Sequence, residues 1–195
     1  MRVALGITYN GSAYEGWQSQ LSGNTVQDKL ELALAKFSTQ NIRVNCSGRT
    51  DAGVHGLMQV VHFDTPLERE TASWVRGTNA FLPQDIAVQW ARVVPDEFHS
   101  RGSATARRYV YVVLESPVKP SVEAGRVGWV YRPLDGNNMR RAATCLLGVM
   151  TSARFVQRSA RPNHLSNVFS RSTSRNGPVR LTGALSLRPM PFCTT

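Results

Sequence analysis

The residues best suited to chemistry in this sequence lie in one nine-residue stretch, 48–56, which reads Gly-Arg-Thr-Asp-Ala-Gly-Val-His-Gly. It contains the carboxylate of Asp51, the guanidinium of Arg49, the hydroxyl of Thr50 and the imidazole of His55. Three glycines in this stretch let the backbone turn tightly and approach a ligand closely. Each polar residue alone is more often a turn former or a solvated charge, so it is their density that predicts a chemical site on a loop.

The elements that must position this loop follow from apolar periodicity on both sides of it. Alternation with a period of two predicts strands, and a stripe at i, i+4, i+7 and i+8 after Thr25 predicts a helix, with Asp28 completing a capping box. In chain order the predicted elements are strand 3–9, a helix from Thr25 to about residue 37, strands 42–46 and 57–63, helix 67–80 and strand 86–90. This β-α-β-β-α-β order predicts a ferredoxin-like split unit over residues 1–103, with an antiparallel sheet backed by two helices.

A second unit begins near residue 104 and is shorter. Residues 109–114 predict a strong strand, 125–131 a weaker one, and 138–147 a helix that ends before Gly148. We therefore predict an α+β fold in which residues 104–148 form the truncated start of a second, incomplete α/β half-domain.

The net charge of +10 is unevenly distributed. Residues 1–148 hold 16 Lys and Arg against 13 Asp and Glu, whereas residues 149–195 hold seven Arg and no Lys, Asp or Glu. The latter segment also has seven Ser and four Pro and no sustained period, which predicts an irregular, disordered tail. A second interpretation makes it an Arg/Ser-rich RNA-binding arm.

Composition excludes several other classes. Cys46, Cys145 and Cys193 lack CxxC spacing and predict free thiols in a reducing cytoplasm, and the scattered histidines predict no metal site. No apolar run approaches the roughly 18 residues that span a bilayer, and the amino terminus becomes polar too soon for a signal peptide. We therefore expect no metal and no membrane partner.

Residues 48–56 match the signature G-R-T-D-A-G-V-H-[AG], and six further motifs flank it in order along the chain. These are Tyr9-Asn10-Gly11 with Tyr14-x-Gly16-Trp17-Gln18, Thr25-Val26-Gln27, Gln59-Val60-Val61-His62-Phe63, Asn79-Ala80-x-Leu82-Pro83, Phe98-His99-Ser100-Arg101, and Ser103-Ala104-Thr105-Ala106-Arg107-Arg108-Tyr109-x-Tyr111. By these motifs the chain resembles the bacterial tRNA pseudouridine synthase A family, and the resemblance reaches Leu147-Gly148.

The resemblance implies an activity, a partner and a nucleophile. The family converts uridine to pseudouridine at positions 38 to 40 of the tRNA anticodon arm without a cofactor, and it is usually homodimeric. By resemblance, Asp51 is the catalytic nucleophile, acting as carboxylates do in glycoside chemistry. The attack goes through either the base or the ribose, and the sequence leaves both routes open.

The resemblance also implies substrate-binding residues. Tyr109 matches the tyrosine that stacks on the target uracil, although a strand aromatic is more often a core residue. Arg49 matches the signature arginine, for which a phosphate contact or a role in flipping the base is expected. Arg101, Arg107 and Arg108 are candidates for contacts to the tRNA backbone, although outside the resemblance they would be solvated charges.

The resemblance stops after Gly148. The family continues with an E-H-D-F-S-x-F-R-A-like segment and later an N-A-F-x-x-x-x-V-R motif, whose arginine pairs with the catalytic aspartate; neither occurs in this sequence. Codons allowed for residues 149–165 can encode H-D-F-S-A-F-R and further family-like residues in the neighbouring frame. We hypothesise that residues 149–195 are an out-of-frame translation, and codons that forbid this would refute the hypothesis.

Two alternatives to an active enzyme remain open. One is a non-catalytic RNA-binding fragment on the same ferredoxin-like unit, although no clear aromatic RNP motif is present. The other is an inactive product of a disrupted gene. Because the arginine that pairs with the aspartate lies in a missing motif, we expect this chain to turn over tRNA poorly or not at all.

Overall fold

The computed structural model describes residues 1–145 fully and the backbone of 150–151, 166–167 and 180–185. The chain divides into two compact units, Met1–Ala104 and Thr105–Thr195, close to the boundary predicted after residue 103.

The first unit is a four-stranded antiparallel sheet with the predicted split connectivity. Strand β1 lies between β3 and β4, and β2 pairs with the outer side of β3, so that the strand order is β2-β3-β1-β4. The elements are β1 (Arg2–Tyr9), α1 (Val26–Ser38), β2 (Asn45–Cys46), β3 (Gly56–Asp64), α2 (Thr71–Asn79) and β4 (Ile86–Val94). The first half of the fold prediction is therefore confirmed.

The core of this unit forms because one face of β1 is apolar at every second residue. Val3, Leu5 and Ile7 are fully buried, and they belong to one cluster with Leu30 of α1 and Trp74 of α2. Alternation thus determines which face of the strand the helices cover.

The opposite face of β3 carries a buried histidine. The backbone N–H of Ser100 donates to His62 Nδ1 at 3.2 Å, and the Ser100 hydroxyl donates to the Asn45 carbonyl at 2.8 Å. His62 is 2% exposed, and burial, with neighbouring His99 and Arg2, holds its pKa below the ordinary value. The ring is therefore held as a neutral hydrogen-bond acceptor.

Helix α1 begins where its sequence predicts. Thr25 is the N-cap, its hydroxyl accepting from the Asp28 N–H at 3.2 Å and donating to the Asp28 carboxylate at 2.5 Å. Burial would raise the pKa of Asp28, but hydrogen bonds from Ser19, Thr25 and neighbouring backbone hold it below the ordinary value. The capping interaction therefore keeps this carboxylate charged at the end of the helix where negative charge is favourable.

Two element boundaries differ from the prediction. Strand β2 has only two residues because the Val44 N–H donates to the Glu31 carboxylate at 3.0 Å instead of to a neighbouring strand, although Ile42 and Val44 are buried as expected. Helix α2 begins at Thr71 instead of Leu67, whose N–H is bonded to the Thr65 hydroxyl. In both cases a side-chain acceptor competes with the regular backbone ladder: Glu31 from helix α1 for Val44, and the nearby Thr65 for Leu67.

The second unit is built on β5 (Arg107–Glu115), which pairs in parallel with β6 (Gly128–Val130). Helix α3 (Gly136–Thr144) follows, capped by the Asp135 side chain. The predicted strand, weaker strand and helix are all present with shifted bounds. None of the α3 residues is buried.

Beyond residue 145 the backbone of three short strands is described. These are β7 (Met150–Thr151), β8 (Ser166–Asn167) and β9 (Arg180–Leu185). Strand β9 pairs antiparallel with β5 from Arg107 to Val112, which the prediction of an irregular tail does not include. The rest of the predicted disorder in 149–195 falls outside the described residues and stays a prediction.

Candidate active site

The loop singled out by its chemistry connects β2 to β3. Asp51 and Arg49 are exposed, as are Ala52 and Gly53. Within residues 1–145, the Asp51 carboxylate has neither a hydrogen bond nor an ion pair to a side chain. A carboxylate with this exposure has its lone pairs available to a substrate.

The first part of the loop is fixed to β3. The Ser47 N–H donates to the Val60 carbonyl at 2.8 Å, and the Ser47 hydroxyl donates to the Gln59 side-chain carbonyl at 2.6 Å. The side-chain amide of Gln59, a buried residue, donates through Nε2 to the Gly48 carbonyl. The loop therefore leaves the sheet in one defined direction.

The residue before Asp51 is held on two sides. The Tyr9 hydroxyl and the Thr50 hydroxyl are hydrogen-bonded at 2.9 Å, and the Trp17 N–H donates to the Thr50 carbonyl at 2.9 Å. Tyr9 and Trp17 are both buried, and their rings contact each other at 5.9 Å between centroids. Because Thr50 is attached to the core, Asp51 is presented from a rigid base.

The residues after Asp51 are also held by the segment between β1 and α1. The Gly53 N–H donates to the Tyr14 carbonyl at 3.4 Å, and the Gly11 N–H donates to His55 Nδ1 at 3.2 Å. The Val54 N–H closes a turn onto the Asp51 carbonyl at 3.2 Å. His55, which the loop motif offered as a reactive imidazole, therefore serves here as an acceptor that anchors the loop.

Close approach of two backbones explains a glycine in the flanking motif. Gly16 has a φ of +93°, and a Cβ at this position would lie 2.7 Å from the Thr50 carbonyl oxygen. Gly11 is as crowded, since its Cβ would lie 2.0 Å from the Val54 carbonyl oxygen. A side chain at Gly11 or Gly16 would collide with the loop backbone, so glycine at these positions allows the segment to lie this close.

Two of the predicted arginines lie near the same thiol. Burial raises the pKa of Cys46, and the charges of Arg49 and Arg101 oppose that rise. Both guanidiniums are therefore within electrostatic reach of β2, at the base of the loop.

The other candidates belong to the second unit. Arg108 and Tyr109 are exposed and Arg107 is half-buried, all three at the start of β5. With 46% of its surface exposed, Tyr109 is not a core residue of this unit, which removes the structural alternative weighed for it. Its predicted stacking on a substrate base stays a prediction.

Sequence reasoning assigned no role to the contact between Tyr14 and Asp85. The Tyr14 hydroxyl donates to the Asp85 carboxylate at 2.6 Å, and burial together with this hydrogen bond raises the pKa of Tyr14. Tyr14 lies in the Tyr-x-Gly-Trp-Gln motif and Asp85 follows the Asn-Ala-x-Leu-Pro motif. A polar residue inside one motif and another just after the second were the available signals, but only the fold shows that the two meet.

The described part of the chain contains no group of three or more His, Cys, Asp or Glu residues placed to hold a metal ion. Among the same residues, no helix has both the length and the apolar character needed to cross a membrane. Of the described cysteines, Cys46 and Cys145 are free thiols.

Comparison with known proteins agrees with the fold and the loop. Residues 7–101 match the family model described as tRNA pseudouridine synthase. Proteins named tRNA pseudouridine synthase A are 82% identical in Polaromonas naphthalenivorans (strain CJ2), 74% in Paracidovorax citrulli (strain AAC00-1) and 65% in Albidiferax ferrireducens (strain ATCC BAA-621 / DSM 15236 / T118), each over 148 residues. These alignments cover 76% of this chain and 56%, 53% and 57% of the respective relatives.

Over these 148 residues the chain belongs to the tRNA pseudouridine synthase family, a family of isomerases. The three relatives above are named tRNA pseudouridine synthase A, and this chain spans about half of their length.

Proposed function

We propose that the protein isomerises uridine to pseudouridine in tRNA, at positions 38 to 40 of the anticodon arm, with Asp51 as nucleophile. The observation that carries this proposal is an exposed carboxylate, without a partner among the described residues, on a loop fixed to the core on both sides. The signature around it and the family membership supply the reaction type.

The chemistry needs a single carboxylate and no oxidant. The N1–C1′ bond of uridine breaks, the uracil rotates, and a C5–C1′ bond forms, while the proton on C5 leaves to water and N1 takes up a proton from water. Asp51 attacks either C1′ of the ribose or C6 of the base, and in both cases the ester or adduct is released when the C5–C1′ bond has formed. The product is an isomer of the substrate.

Rigid anchoring supports this role because a nucleophile acts most effectively when it is held near the reacting atom. Thr50 is bonded to Tyr9 and Trp17, and the turn at Asp51 is closed by Val54. The carboxylate therefore starts from a defined position before the substrate binds.

Recognition of tRNA is proposed to rest on arginines. Arg49 and Arg101, both near Cys46, provide positive charge at the base of the loop, where a phosphate contact or a contact to a flipped nucleotide is chemically suited. Arg107 and Arg108 are proposed to contact the RNA backbone, and exposed Tyr109 to stack on the uracil.

We further propose a homodimer in the cytoplasm and weak or absent turnover by this chain of 195 residues alone. The family resemblance supports dimerisation, and the free thiols Cys46 and Cys145 suit a reducing compartment. Weak turnover follows because the arginine that pairs with the aspartate in the family belongs to a motif that this sequence lacks.

The alternative is a non-catalytic RNA-binding fragment, which is favoured because the motif whose arginine pairs with the aspartate in the family does not occur in this sequence. The two functions differ in one measurable product. Formation of pseudouridine releases tritium from [5-³H]uridine in tRNA, whereas binding alone releases none.

The test measures tritium release with protein in excess over labelled tRNA, together with tRNA binding by gel shift. The chain is compared with its Asp51→Asn variant, with Asp96→Asn as an exposed carboxylate control and with the full-length relative from Polaromonas naphthalenivorans as reference. We expect release far slower than by the relative, lost in Asp51→Asn and kept in Asp96→Asn.

Each other outcome has a definite meaning. Release that persists in Asp51→Asn would overturn the assignment of the nucleophile. Release as fast as by the relative would overturn the expected weakness of this chain. If the chain and its Asp51→Asn variant bind tRNA equally and neither releases tritium, the result would favour the binding fragment.

A further inference from the structure

The Asp85 carboxylate lies outside the catalytic loop and contacts the chain segment that holds this loop in place. Residues 10–17 connect β1 towards α1, and we call them the bracing segment. The Tyr14 hydroxyl donates to the Asp85 carboxylate at 2.6 Å, and the Asn10 N–H donates to the Asp85 carbonyl at 2.8 Å. Asp85 therefore fixes the bracing segment near its beginning through its backbone and in its middle through its side chain.

The bracing segment in turn fixes the loop. Its Tyr14 carbonyl accepts from Gly53, its Gly11 N–H donates to His55, and its Trp17 N–H donates to Thr50. Every one of these loop residues lies within four positions of Asp51. A displacement of the segment must therefore move the residues on both sides of the nucleophile.

The Tyr14–Asp85 contact is built to resist such a displacement. Tyr14 is 7% exposed and Asp85 is half-buried, so removing the Asp85 carboxylate would take this hydrogen bond from a hydroxyl with limited access to water. A bond from a hydroxyl to a carboxylate is also among the stronger hydrogen bonds in proteins. Burial, the hydrogen bond to Asp85 and the Asp85 charge all raise the pKa of Tyr14, in agreement with a hydroxyl that donates to this carboxylate.

We propose that Asp85 is a positioning residue for Asp51: its carboxylate holds Tyr14, and Tyr14 holds the loop that carries the nucleophile. Its consequence for catalysis rests on the proposed function. Its consequence for the loop does not, because it follows from the hydrogen bonds alone.

The experiment is amide hydrogen exchange of the 195-residue chain, measured by mass spectrometry on peptides that resolve the loop. The variants are Asp85→Ala, Asp85→Asn and Tyr14→Phe. The matched control is Asp64→Ala, which removes a carboxylate bonded to Arg2 at 2.8 Å at the opposite end of the β1–β3 pair from the loop.

In Asp85→Ala and Tyr14→Phe we expect exchange of residues 50–55 to accelerate about tenfold, as loss of one charge-assisted hydrogen bond predicts. Exchange in β1 should change less than twofold, and so should exchange at Ser47, which β3 holds independently. Asp85→Asn keeps an acceptor for Tyr14 and should restore loop protection to within about twofold. Asp64→Ala should leave the loop unchanged.

Unchanged loop exchange in Asp85→Ala would overturn the proposal. An equal acceleration in β1 and in the loop would do so as well, because Asp85 would then serve only global stability. A failure of the proposed function is distinguishable, since Asp51→Asn is tested with tRNA and the exchange measurement uses none.

Discussion

Replacing Gly16 with alanine tests how closely the bracing segment and the catalytic loop lie against each other. Gly16 combines two constraints, a φ of +93° and a position where a Cβ would lie 2.7 Å from the Thr50 carbonyl oxygen. Gly53, inside the loop, shares only the first, because its φ is +79° and no atom lies within 4 Å of its Cβ position. The pair therefore separates backbone strain from collision.

The expected magnitudes follow from these two terms. A non-glycine residue at positive φ costs about 1–2 kcal/mol, which applies to Gly16→Ala and Gly53→Ala alike. In Gly16→Ala the Thr50 carbonyl must also move, which weakens its bond to the Trp17 N–H by about 1 kcal/mol. We therefore expect Gly16→Ala to lower the free energy of unfolding by about 2–3 kcal/mol and Gly53→Ala by about 1–2 kcal/mol.

The assay is urea unfolding followed by tryptophan fluorescence, in a Trp129→Phe background so that the signal comes from the first unit. Trp17, which donates to Thr50 and is 1% exposed, reports directly on this contact. Equal losses of stability in the two variants would refute the reasoning, because the collision would then contribute nothing beyond the strain.

Two further predictions concern the scaffold that carries the loop. Burial lowers the pKa of His62 in the folded chain, so the unfolded chain binds this proton more readily. The resulting stabilisation is fully present above the ordinary histidine pKa of about 6.5. It should be lost as the pH falls through the lower folded-state pKa. The urea midpoint should therefore decrease when the pH is lowered from 7.5 to 5.5, and it should decrease less in His62→Asn. An equal decrease in the unmodified chain and in His62→Asn would assign the effect to other groups. Thr25→Ala removes the N-cap of α1 and should cost about 1–2 kcal/mol in the same assay, whereas Thr25→Ser, which keeps the hydroxyl, should cost less. If Ser is as destabilising as Ala, the buried methyl group and not the cap stabilises this end of the helix.

The local order of the fold was predictable because each signal depends on near neighbours. Alternation of Val3, Leu5 and Ile7 determined the buried face of β1, and Thr25 with Asp28 marked the start of α1. Strand β2 was predicted too long because Val44 bonds to Glu31, a contact between an edge segment and a helix that no local pattern encodes. Chain neighbours determine periodicity and caps, whereas the acceptor that shortens β2 comes from a separate helix of the fold.

By itself, the sequence determined the first unit's topology, the chemical content of the 48–56 loop and the family to which residues 1–148 belong. Only the tertiary structure decided that His55 anchors the loop, that Gly16 must be small, and that Asp85 meets Tyr14. The physical reason is distance along the chain: Tyr14 and Asp85 are 71 residues apart, and folding alone brings such groups to hydrogen-bonding distance.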